Sequence, residues 1–99
     1  HMRRRIDQLD NELIEVLAKR MQVSREIGSY KREHHMPVVQ AARYGDIMRS
    51  RVLNAASLGI DEDFMRQILS TIHEESVRIQ VNLNNENKTS DHPTETDKQ

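Results

Sequence analysis

The sequence predicts an all-α chain of three helices, the first of them unusually long. Charged residues make up 31% of the 99 residues and aromatics only 3%, a mixture suited to helices over an aliphatic and methionine core. Chain breakers are rare, with three glycines and two prolines. Along three successive stretches the apolar residues recur in steps of three and four, the period of one helix face.

The same composition excludes several classes of function. With no cysteine there are no disulfides, thiolate zinc sites or cysteine nucleophiles. Fifteen Lys and Arg against sixteen Asp and Glu leave a net charge of −1, so no global field steers the chain to nucleic acid or membrane. No apolar run approaches the roughly 18–20 residues of a membrane span, and no signal peptide opens the chain, so a cytoplasmic protein of one small domain is expected.

The first stretch carries Ile6, Leu9, Leu13, Val16, Val23, Ile27 and Tyr30 on one face. No proline interrupts it before Met36-Pro37, and Gly28 is a tolerable weak point, which predicts a helix of about 30 residues and roughly 45 Å. A compact domain of about 80 residues is only some 30 Å across. Such a helix outruns its own domain and needs a partner chain, and an intertwined homodimer is the simplest answer.

A second helix is expected after Pro37-Val38-Val39, because the residue before proline avoids helical geometry. Its stripe is Tyr44, Ile47, Met48, Val52 and Ala55, and Gly59 is a plausible stop. Asp61 then offers an N-cap, with Glu62 and Asp63 in the first turn of a third helix expected to bury Phe64, Ile68, Leu69, Ile72 and Ile79. The helical domain is expected over 3–82. The polar stretch 83–99 has almost nothing apolar to bury and is expected to be disordered. His1-Met2 reads as a cloning scar or, at Met2, a native start; as a scar it makes the chain a domain cut from a longer protein.

Polar residues that break the stripes point to a site. Continuing from Leu13 and Val16, the spacing lands on Arg20, placing a guanidinium on the apolar seam. It requires an anion: Glu12, Glu26, a partner carboxylate or a ligand. Lys31 lies eleven residues on, about three turns and roughly 16 Å away on the same side, where two cationic arms can close on one small anion. Near a helix C-terminus Lys31-Arg32 can equally just offset the macrodipole. In the series Ile68, Ile72, Ser76, Gln80, the last two are polar; buried, they need hydrogen-bond partners, and otherwise the helix end turns them to solvent.

Arg3-Arg4-Arg5 disfavours a helix N-terminus electrostatically and calls for an anion. Arg3 is seventeen residues from Arg20, about 25 Å and some 100° off its face, so it can share a ligand only across a dimer. Arg43 begins the second helix, where exposure is its ordinary state. His34-His35 lacks a third metal ligand and reads as solvated, and His73 is expected to face solvent or an intersubunit contact. No Ser-His-Asp order, glycine-rich phosphate loop or paired-carboxylate site is present.

Taken in order, Arg3-Arg4-Arg5-Ile6-Asp7-Gln8-Leu9-Asp10, Arg20, Ile27-Gly28-Ser29-Tyr30-Lys31, Pro37-Val38, Arg43 and Ile72-His73-Glu74-Glu75-Ser76-Val77-Arg78-Ile79-Gln80 resemble the all-helical AroQ class of chorismate mutase across residues 3–81. The resemblance implies an intertwined dimer of three-helix chains that rearranges chorismate to prephenate in phenylalanine and tyrosine synthesis. The reaction is intramolecular and pericyclic and requires no nucleophile, metal or cofactor.

By the same match Arg20 and the partner's Arg3 clamp substrate carboxylates, Arg43 and Ser76 assist, and Lys31 and Gln80 donate to the ether oxygen. Some relatives carry Glu at the position of Gln80 and must protonate it, so Gln80 predicts no loss of activity at neutral pH. Two positions depart from the family. Gln40 stands where Asp is common and Tyr44 where Glu is common, both near the substrate's ring hydroxyl in relatives; each has the chemistry to supply a replacement polar contact. The resemblance also leaves open isochorismate–pyruvate lyase, and a non-catalytic dimerisation or regulatory domain of a fused or associated shikimate-pathway enzyme.

Overall fold

In the computed structural model, Met2–Glu33 form one uninterrupted 32-residue helix, α1. Ala41–Ser57 form α2 and Glu62–Asp91 form α3. The structure describes the backbone of residues 1–91 and the side chains of residues 1–83, and no strand occurs among them. The chain is all-α, three helices with a long first one.

Local chemistry sets each boundary. At the end of α1 the Met36 amide donates to the Lys31 carbonyl at 2.7 Å and the His35 amide to the Arg32 carbonyl at 3.2 Å. At the end of α2 the Ile60 amide reaches Ala55 and the Gly59 amide Ala56, both at 3.0 Å. Both are Schellman closures, in which a left-handed residue turns the chain back over its last carbonyls. Gly59 takes that role at φ 86°, as its position predicted, whereas at α1 it falls to His35 at φ 55°. Asp61 caps α3, its Oδ2 accepting from the Phe64 amide at 3.0 Å, with Glu62 and Asp63 in the first turn.

The third helix is the spine: it packs against both α1 and α2. The apolar core this produces is small: among the described residues the buried hydrophobic side chains are Val52, Ala55 and Ile79. Ile6, Leu9 and Leu13 are each 57% exposed, so over its first half the α1 stripe has little cover among the described residues. The radius of gyration is 18.0 Å, against about 13 Å for a compact domain of this length. Phe64, expected in the core, is 56% exposed. It lies in the first turn of α3, where a side chain has helix on only one side of it.

Residues 83–91, expected to begin a disordered tail, continue α3. No glycine or proline interrupts the chain between Ile60 and Pro93, and an established helix adds one hydrogen bond per residue fixed. Residues 92–99 of that expected tail lie outside the described residues. No described helix is long and apolar enough to cross a membrane.

Candidate active site

A cleft of about 630 Å³ opens between the C-terminal half of α1, the 34–40 connection, α2 and the middle of α3. Seven of the eight residues singled out from the sequence line it: Arg20, Lys31, Gln40, Arg43, Tyr44, Ser76 and Gln80. Arg3 does not, since it sits in the first turn of α1.

Three buried polar side chains form the floor: Ser24, Ser76 and Gln80. Ser76 is the hub. Its Oγ accepts from Arg20 Nη1 at 2.7 Å and from Ser24 Oγ at 2.9 Å, and it lies 3.8 Å from Met21 Sδ. This ties α1 to α3 through polar groups, and it orients the guanidinium by a neutral hydroxyl. Neither Glu12 nor Glu26 pairs with Arg20, and no carboxylate does so among the described residues. Partial burial, and then the positive charge of Arg51, push the Arg20 guanidinium below its ordinary value. Both effects favour an incoming anion.

Lys31, in the last turn of α1, donates from Nζ to the Val38 carbonyl at 2.7 Å. That carbonyl belongs to the 34–40 connection, where the residue before Pro37 is kept out of helical geometry and the chain leaves α1. Gln80 approaches α1 where Gly28 leaves room: a Cβ at 28 would lie 2.9 Å from Gln80 Cγ and 3.2 Å from its Cβ. Gln80 Oε1 is buried with no hydrogen-bond partner among the described residues. A buried orphan acceptor is rare and marks a group awaiting a donor.

The α2 and α3 side holds residues that the sequence reading missed or misplaced. His73, expected at solvent or an intersubunit contact, lines the cleft and stacks on Tyr44, ring centroids 3.9 Å apart and planes 25° from parallel. Partial burial lowers its pKa from the ordinary histidine value; Arg20 lowers it further, Glu74 opposes by less than Arg20, and Lys31 adds the smallest lowering effect. Arg51 adds a fourth cation to Arg20, Lys31 and Arg43, and Ser24 adds a second serine hydroxyl beside Ser76. Each lies on the three-four spacing through a residue already noticed: Ser24 after Arg20, Arg51 two steps after Arg43, His73 before Ser76. Among the described residues no Asp or Glu lines the cleft, and no group of three or more His, Cys, Asp or Glu that could hold a metal occurs.

An all-helical chain with a cationic cleft, free of acids among the described residues, has the architecture and charge that suit a small anion held between helices. The chain belongs to the chorismate mutase type II family, whose model matches residues 2–81. Among its relatives, 4-amino-4-deoxychorismate mutase of Streptomyces pristinaespiralis is 33% identical over 79 residues, 80% of this chain and 61% of the relative. T-protein of Haemophilus influenzae is 33% identical over 75 residues, 76% of this chain and 20% of that protein. A second 4-amino-4-deoxychorismate mutase, from Streptomyces venezuelae, is 28% identical over 79 residues, 80% of this chain and 77% of the relative. The chain thus spans less than two thirds of the length of the first two relatives.

Proposed function

We propose that this chain is a chorismate mutase, an isomerase that rearranges chorismate to prephenate on the route to phenylalanine and tyrosine. The observation that carries the reading is the cleft itself: Arg20, Lys31, Arg43 and Arg51 line it with no carboxylate among the described residues to neutralise them. A dicarboxylate of modest size supplies the missing charge.

Within that reading, Arg20 and Arg43 pair with the substrate's carboxylates, and Ser76 holds the Arg20 fork in position. Lys31 and the Gln80 amide donate to the ether oxygen. That oxygen gains negative charge as its bond to the ring carbon breaks and the new carbon–carbon bond forms. All atoms stay in one molecule, so the work of the protein is to hold a compact conformer and stabilise that charge. The exposed α1 stripe supports a homodimer in which Arg3 is donated to the partner's site.

A second reading follows from the relatives' name: an amine in place of the ring hydroxyl, as in 4-amino-4-deoxychorismate. Prephenate formed from chorismate, identified by NMR and abolished in Arg20→Ala with folding intact, establishes the first reading. Product analysis with isochorismate separates the lyase, and absence of any turnover leaves the chain a non-catalytic domain.

A further inference from the structure

We propose that Gln40, Tyr44 and His73 form a neutral polar wall that reads the substrate's ring substituent, accepting a hydroxyl and rejecting an amine. The inference rests on the mutase reading above and deepens it by naming which of the two substrates fits.

Three observations converge. The Tyr44 and His73 rings are stacked at 3.9 Å, one from α2 and one from α3, so the two side chains hold each other as a single slab on the cleft. Gln40 is the N-cap of α2 but makes no side-chain cap hydrogen bond, which leaves its amide available to the cleft it lines. Finally, among the described residues Arg20, Lys31, Arg43 and Arg51 are the charged ones lining the cleft, all of one sign.

Each group of the wall offers hydrogen-bonding capacity without charge. An amide, a phenol and a neutral imidazole all both donate and accept. The lowered pKa of His73 keeps that imidazole neutral at physiological pH. A hydroxyl donates and accepts as well, so it can be satisfied from either side. An alkylammonium only donates and brings a positive charge among four others with no acid to meet it, a like-charge juxtaposition that selects against it. A site built for the amine needs at least one carboxylate here.

The test measures kcat/KM for chorismate and for 4-amino-4-deoxychorismate on the full chain at pH 7.5, with products identified by NMR. The hydroxyl substrate is expected to be favoured by roughly a hundredfold. Gln40→Glu and Tyr44→Glu are each expected to narrow that ratio by about tenfold or more, chiefly by raising the value for the amine. Gln40→Glu keeps the test available if Tyr44→Glu does not fold, because a carboxylate at a helix N-terminus is favourable. Equal or better turnover of the amine by the unaltered chain overturns the proposal and leaves the mutase reading standing. A ratio unmoved by an active carboxylate variant also overturns it. Turnover of neither substrate removes the mutase reading, and this proposal with it.

Discussion

Gln80 lies against the bare backbone of Gly28, so closely that a single added methyl at 28 would sit 2.9 Å from Gln80 Cγ. The contact joins the weak point of α1 to the last polar residue of the α3 series. Replacing an interior helical glycine by alanine ordinarily stabilises by about 1 kcal/mol. Here the clash is with atoms near the Gln80 backbone, which cannot swing aside, and overpacking costs about 1–3 kcal/mol. Gly28→Ala is therefore expected to lose stability or at best hold it in chemical denaturation, and to lower kcat by displacing the Gln80 amide. A clear gain in stability with full activity would show the approach to be slack.

Gln80 donates at any pH, and a glutamic acid donates only when protonated. The unaltered chain is expected to keep kcat constant between about pH 7 and 9. Gln80→Glu is expected to lose activity as pH rises, because its carboxylic acid is ionised toward the alkaline side. A pH–rate profile of the two proteins checks this, and identical profiles would remove Gln80 from the reacting centre.

His73 has its pKa lowered, first by partial burial and then by Arg20 and Lys31. Near and below the ordinary value of about 6.5 the unfolded chain therefore holds more protons at this position than the folded one. Its contribution to stability is present above that pH and is lost as pH falls through the lower folded value. Histidine NMR titration should find the His73 ring changing at a pH below the ordinary histidine value. A dicarboxylate in the cleft should raise it by offsetting Arg20. His73→Phe keeps a ring on Tyr44 and should flatten this part of the stability–pH curve.

Arg3 lies about 25 Å along α1 from Arg20, beyond the reach of one small ligand. If the site is completed across a dimer, Arg3→Ala and Arg20→Ala chains are each inactive alone but complementary when mixed. A mixed dimer holds one intact site and one doubly altered site, so unfolding and refolding an equal mixture should restore about a quarter of normal activity. Sedimentation of the unaltered 11.6 kDa chain should show the dimer directly. No recovery on mixing would place Arg3 outside the site.

The helices were legible in the sequence because their causes are local. The apolar spacing, Pro37, the left-handed Gly59 and the Asp61 cap act over a few residues each. The polar residues on the stripes also announced themselves, since Arg20, Ser76 and Gln80 stand where burial of an unpartnered group is costly. The linear pattern left open whether Arg20 meets Glu12, Glu26 or a ligand, and the bond to Ser76 from 56 residues away decides which chain groups it touches. The same holds for His73, whose neighbours in sequence are acids but whose neighbours in space are Tyr44, Arg20 and Lys31. Helix periodicity tells which residues share a face. Only packing tells what that face meets, because the partners of a buried or half-buried group come from distant parts of the chain.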